Sequence, residues 1–450
     1  MLTRDRSFYQ KFIILTIGLM LEQVVILSVN LADNIMLGSY SESALAGVAA
    51  VNQIQFILQQ LVHAIGNGVV ILGSQYWGQK RTLEIRKLTG IAALFNGFIA
   101  LTLFVAVSLF PHTALSIFSP NSEIIEQGVA YLSIIRFSYL FFSLTAVFMS
   151  AMRTVEIVRI AVNLSIVSLI VNCAINYVLI FGHFGMPQMG VRGAAIGTLV
   201  ARIVEFILLS AFVFLREKRL RLVPKDLFHF DRKLLRDFVS VTTPILIAAI
   251  VWGTNNATHT VILGHISDEA IAAQSISSNL YLLLKVAAVG AASAASIIIG
   301  KTIGENIGMP KIREYTRTLQ ILFVLVGLLM GSIMFIIRIP LLNLYNIKEE
   351  TLWLANAFMI VQSVIMVTMS YQMSVSAGII RGGGDSRFYM ILDMISIWGI
   401  MIPLSLIGAF VLKLSPLWVF ILLNSDQVFK CVPAFIYVNR YKWVRHLTRP

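Results

Sequence analysis

Twelve stretches of about 18 or more mainly apolar residues decide what this 450-residue chain can fold into. They lie roughly at 12–37, 44–73, 90–110, 128–150, 160–182, 191–215, 238–263, 270–298, 317–340, 352–380, 387–411 and 416–439. Each is long enough to cross ~30 Å of hydrocarbon. Only 13% of residues are charged and 58% are apolar, against roughly 25% and 45–50% in a soluble domain. The bilayer core has no water to bond a bare backbone, so spanning segments are helices or strands of a closed barrel. Apolar runs of this length are helices. The expectation is an all-α integral membrane protein with twelve transmembrane helices.

The net charge of +13 would suit nucleic acid, but its distribution argues for topology. Most Lys and Arg fall at the N-terminus, in the connections after even-numbered segments and at the C-terminus, the pattern of cytoplasmic loops. "LREKRLRLVPKDLFHFDRKLLRD", between segments six and seven, is the richest. The opposite-side stretch "PHTALSIFSPNSEIIEQG" has two Glu and no Lys or Arg. Both termini are therefore expected in the cytoplasm, with the lipid bilayer and not nucleic acid as the partner; attraction to anionic lipid headgroups is the runner-up reading. The two cysteines, Cys173 and Cys431, sit in apolar segments and read as small core residues. "MLTRDRSFYQK" lacks a cleavage site of small residues, so the first apolar run reads as a retained helix.

The chain repeats itself. "NLADNIMLGSYSESALAG" resembles "NNATHTVILGHISDEAIAA": Leu37 and Gly38 match Leu263 and Gly264, Ser41 matches Ser267, Glu42 matches Asp268 and Ala44 matches Ala270. The register holds to Gly78 and Gly304, and "RTVEIVR" from Arg153 matches "RGGGDSR" from Arg381. The offset spans six segments, an even number, so both halves share one orientation. The expected architecture is two six-helix bundles related by a pseudo-twofold axis along the membrane normal. The halves are placed at 1–215 and 238–450, with a basic cytoplasmic linker at 216–237. Two matching bundles suit alternating access to a site between them.

Asp33 lies deep in segment one. An Asp at the centre of a membrane helix costs about 2.5–3.5 kcal/mol on insertion scales, so it marks a functional site by default. Asn172 and Asn176, at i and i+4, share a helix face, and Asn163 is expected near that face. Thr198 sits in segment six. Asp33, Asn172, Asn176 and Thr198 are expected to form a small oxygen-lined pocket. Its chemistry suits Na⁺ held by Asp33, Asn172 and Asn176, or a proton, because loss of water favours the neutral form of a carboxyl group. Further cleft candidates are Glu22, Gln23 and His259, the last being the repeat partner of Asp33. Tyr371 and Gln372, with Gln362, Met366, Met369 and Met373, offer an adaptable apolar wall. Arg202 with Glu205 and Asp426 with Lys430 read as pairs within a helix. Arg136, Lys285 and Asp393 read as lone charges.

At these residues the chain resembles the multidrug and toxic compound extrusion (MATE) transporters, nearly end to end. "ADNIMLGSYSESALAG" is similar to that family's segment-one signature, "VNCAINYVLIFGHFGMPQMGVRGAAIGT" to its segment five to six, and "GIIRGGGDSR" to its segment-ten exit. The resemblance implies two six-helix lobes that export amphipathic, often cationic compounds in exchange for H⁺ or Na⁺. It implies a cation site at Asp33, Asn172 and Asn176, with Thr198 beside them and Tyr139 near by. Gly18 stands where some members have proline, with Pro244 as its repeat partner, and Asn176 stands where some have Asp. Trp252, Ser370, Tyr371 and Gln372 stand where another branch has acids, so the C-terminal lobe is expected to lack a carboxylate cation site and coupling to rest on Asp33.

The protein is expected to work as a monomer in a bacterial cytoplasmic membrane, with no cofactor beyond the coupling ion. A flippase for a lipid-linked precursor would share the bundle but need a cationic cleft. An enzyme would need a motif such as HExxH, a P-loop or paired acid–base carboxylates, none of which the sequence carries.

Overall fold

The computed structural model describes residues 2–228, 231–343, 345 and 348–448, and regular structure among them is entirely helical. Among the described residues, eleven helices are long and apolar enough to cross a membrane, twelve when a bent pair is counted as one span. They are α1 (Arg6–Tyr40), α2 (Glu42–Gly78), α3 (Thr82–Leu109), α4 (the pair Ser122–Ile135 and Ser138–Thr154), α5 (Arg159–Phe181) and α6 (Val191–Arg216). The second six are α7 (Arg232–Gly264), α8 (Asp268–Gly304), α9 (Met309–Leu342), α10 (Glu349–Ile380), α11 (Ser386–Val411) and α12 (Pro416–Arg440). Every expected apolar segment is matched by one of these.

The fourth segment departs from expectation, because it bends by 55°. At the break, Phe137 N bonds Ile134 O and Tyr139 N bonds Arg136 O, each three residues back, so the four-residue ladder is interrupted. The Arg136 guanidinium lies over the rings of Phe104 and Phe137, 5.7 and 5.3 Å from their centroids. It makes no ion pair among the described residues.

The internal repeat has a structural counterpart at several of the matched residues. Ser41 and Ser267 accept from the N–H of Ala44 and Ala270, at 3.4 and 3.1 Å. Each hydroxyl thereby satisfies a donor that the first turn of α2 or α8 would leave bare. Glu42 and Asp268 follow in those first turns, where the helix dipole favours an acid. Leu37 and Leu263 are both fully buried, as are Ala44 and Ala270.

The chain packs as two compact units. One holds residues 21–73 and 80–239, the other 1–20, 74–79 and 240–450. Helix α1 therefore contributes its first part to the second unit. There Phe8 lies against Tyr315, with centroids 4.4 Å apart, and Phe12 lies near Phe323. Asp5 accepts from the Tyr315 hydroxyl at 2.9 Å. The end of α2 joins the same unit. A Cβ on Gly78 would collide with the Lys301 carbonyl oxygen, and one on Gly304 with that of Gln75, both well inside the 3.0 Å that real Cβ atoms respect. The two repeat-equivalent glycines thus let the ends of α2 and α8 touch through their backbones. In the first unit, the basic segment after α6 is held to α3: Arg86 donates to Leu220 O at 2.7 Å and pairs with Asp226 at 3.3 Å.

Candidate functional site

The site in the first unit is built by α1, α2, α4, α5 and α6. Two amides in α5 and one hydroxyl in α6 make a linked chain that reaches Asp33. Asn172 Nδ2 donates to Thr198 Oγ1 at 3.1 Å. Asn176 Nδ2 donates to Asn172 Oδ1 at 3.3 Å and to Asp33 Oδ1 at 2.5 Å. The i, i+4 spacing of the two asparagines does place them on one face, and both are buried. Gly197 explains how Asn176 fits. A Cβ there would collide with Asn176 Oδ1, so only glycine leaves room for the amide to turn its nitrogen to the acid.

Asp33 faces a cavity lined also by Asn30, Asn52, Gln55, Gln59, Tyr131, Ser138, Tyr139, Thr198 and Arg202. The space open to the centres of water molecules is ≈ 40 Å³. That holds a few waters or one ion, and is far below the roughly 300–1,000 Å³ of a drug-sized pocket. A smaller cavity, ≈ 20 Å³, lies beyond and shares Val29, Thr198 and Arg202. Arg202 pairs with Glu205 at 2.8 Å, as the i, i+3 spacing predicts. Arg202 thus has its own acid, and Asp33, on the same wall, makes no ion pair among the described residues. The Tyr139 hydroxyl is buried with no partner among the described residues, and so is Asn176 Oδ1. Tyr139, on the cavity wall, can meet a water or an ion there, whereas Asn176 Oδ1 is turned to Gly197.

Asp33, Asn172, Asn176, Thr198 and Tyr139 are thus brought together. Asn163 is not: it is exposed, while Asn172 and Asn176 are buried. Nine residues at about 100° each carry the chain half a turn past a whole number of turns, so Asn163 faces away from Asn172. Glu22 is buried and pairs with the partly buried Arg153 of α4. Gln23 is half-buried. Sequence reasoning misses Asn52, Gln55 and Gln59 of α2, and the place of Arg202 on the cavity wall. Asn52, Gln55 and Gln59 are three and four apart, a polar stripe along one face of α2, and that spacing is a signal that could find them.

In the second unit the expected wall is differently built. Met366 and Met369 are buried in the hydrophobic core, with Met373 packed against it. Gln362 is buried as well. Tyr371 donates to Gln320 Oε1 at 2.8 Å, and Gln372 donates to Gln427 Oε1 at 2.7 Å. Two residues expected on one wall therefore serve two separate networks. His259 has its Nε2 buried without a partner among the described residues. Asp393 is paired with Lys430 at 2.8 Å and so is not a lone charge; Lys285 lies 5.1 Å from the centre of the Trp252 ring and makes no ion pair among the described residues. Cys173 and Cys431 are free and only partly buried.

Comparison with known proteins points the same way as the fold. The family model described as MatE matches residues 19–178 and 244–407. A probable multidrug resistance protein, NorM, of Thermotoga maritima is 26% identical, across 98% of this chain and 94% of its own. An uncharacterised transporter of Bacillus subtilis, YisQ, is also 26% identical, across 83% of this chain and 82% of its own. Among solved structures, an outward-facing multidrug resistance MATE transporter superposes with a TM-score of 0.88, covering 100% of both chains at 15% identity. At that identity the likeness carries the fold alone.

Proposed function

The chain belongs to the MATE family of membrane transporters, and from that premise we propose that it exports amphipathic, often cationic compounds by antiport, with Asp33 as the coupling group. The observation that carries this reading is the bonded chain from Thr198 through Asn172 and Asn176 to Asp33, set on an ion-sized cavity. The relatives named as multidrug resistance proteins supply the substrate class. An antiporter needs a group that holds the incoming ion in one state and the exported compound's charge in another. One intramembrane acid that makes no ion pair among the described residues meets that need.

The coupling ion is H⁺ or Na⁺, and the direction of the amides favours the proton. Na⁺ wants several free oxygens. Here Asn172 Oδ1 already accepts a hydrogen bond, and Asn176 Oδ1 is turned to Gly197. The compound itself needs a larger space than the cavity offers in this state, so export requires the site to open. The basic connections favour cytoplasmic termini in a protein of the cytoplasmic membrane, and a single chain suffices for the mechanism.

The test is export of a cationic dye from vesicles, with pH and Na⁺ gradients imposed one at a time. A pH gradient should drive dye out and a Na⁺ gradient alone should not. Dye movement under neither gradient would sink the drug-export reading and leave the lipid-precursor flippase as the better one.

Gly197→Ala tests the geometry. The new Cβ displaces Asn176 and breaks its bond to Asp33. Gradient-driven export should fall about tenfold, the scale of one hydrogen bond to a charged group. Overpacking should cost roughly 1–3 kcal/mol of stability. Normal export by this variant would show that Asn176 does not set the state of Asp33.

A further inference from the structure

The second unit holds a buried ionic cluster that the coupling mechanism does not use. Lys430 Nζ lies 2.8 Å from Asp393 Oδ1 and 3.0 Å from Asp426 Oδ2. Asp393 comes from α11, while Asp426 and Lys430 come from α12. All three side chains are at most 8% exposed. The amides around them are aligned in one direction: Gln427 Nε2 donates to Asp426 Oδ2 at 2.7 Å, and Gln372 Nε2 donates to Gln427 Oε1 at 2.7 Å. Both acids thus face one cation, and an amide donor fixes Asp426 from behind. That cation is an ammonium group.

A buried ion pair seldom adds stability over apolar residues of the same shape, because taking charges from water costs as much as their attraction returns. A seat of two acids and one lysine therefore calls for a functional account. In the first unit, by contrast, Asp33 makes no ion pair among the described residues, and Arg202 on the same wall is paired with Glu205. We propose that Lys430 is a tethered cation: Asp393 and Asp426 form a monovalent-cation site in the C-terminal half, and the chain fills it with its own ammonium group. The C-terminal half is then insensitive to external cations, and ion coupling is confined to the N-terminal half. This proposal rests on the coupling role given to Asp33 above, but its test is independent of that role.

The test is removal of the tether. Lys430→Ala leaves the two acids facing a vacated space that a small cation of matching chemistry, ethylammonium, can enter. Full-length protein is melted in ethylammonium chloride, in NaCl and in the chloride of a bulky cation, at constant ionic strength. Wild type and Lys430→Arg should melt at one temperature in all three. Lys430→Ala should melt lower in the bulky cation and gain about 5 °C in ethylammonium, the scale of a ligand well above its dissociation constant. The gain should persist in Asp33→Asn/Lys430→Ala, which shows that it does not arise at Asp33. It should vanish in Asp393→Asn/Asp426→Asn/Lys430→Ala. A Lys430→Ala protein that melts like wild type in the bulky cation overturns the proposal, as does one that no small cation stabilises.

Discussion

Asp33→Asn should abolish gradient-driven export, by about 100-fold or more, in a protein that folds as well as wild type. The two halves of that expectation have separate causes. Asparagine is nearly isosteric with aspartate, and its carbonyl oxygen can accept the Asn176 amide as the carboxylate does, at 2.5 Å in the native chain. The amide chain and the cavity wall survive, so the melting temperature should move by only a few degrees. What is lost is the change of charge. A ligand shifts a conformational equilibrium only by its differential affinity for the two states. Moving a two-state protein from 1:99 to 99:1 takes about 5.5 kcal/mol of such difference. The substituted amide neither takes up nor releases a proton, so the gradient has no group to act on. Passive exchange of dye down its own gradient should persist, and only the coupled component should disappear. Asp33→Asn protein that still concentrates dye against a gradient would make Asp33 a structural residue and move the coupling group elsewhere.

The second large effect lies far from that site in the sequence. Gly304→Val, or Gly78→Val, should prevent accumulation of folded protein. A Cβ on Gly304 would collide with the Gln75 carbonyl oxygen, and one on Gly78 with that of Lys301. Both obstacles are backbone atoms within regular helices, so no side chain can rotate aside. Relief requires α2 and α8 to separate at their ends, which removes the packing there. Clashes of this kind fall among the most damaging single changes, upward of about 4 kcal/mol. Gly97 is the control, because a Cβ there meets nothing within 4 Å. Gly97→Ala should be neutral or stabilising by up to about 1 kcal/mol, the difference in helix propensity at a position with open space. Yield and melting temperature after purification read both variants, and a well-folded Gly304→Val protein would refute the close crossing.

Much of this is legible in one dimension because the determinants are local. Apolar length names a span, and α1 to α12 follow the twelve runs. Helical spacing places Asn172 with Asn176 and Arg202 with Glu205. The repeat pairs Ser41 with Ser267, and both cap the helix that follows. Where spacing misleads, the error is geometric: Asn163 is half a turn from the face it is expected to share. What spacing cannot reveal is a partner on another helix. Glu22 finds Arg153, 131 positions away, and Asp393 finds Lys430 on the next helix. The bend at Phe137 is equally hidden, since no proline or glycine marks it and the ladder breaks at ordinary residues.

The central claim is that one group, Asp33, exchanges a proton for a positively charged compound. The most direct measurement is proton release from purified protein in weakly buffered detergent solution as a cationic dye is added, for wild type and Asp33→Asn. Wild type should release close to one proton for each dye bound, and Asp33→Asn should bind dye with no release. Equal release from both would contradict the account.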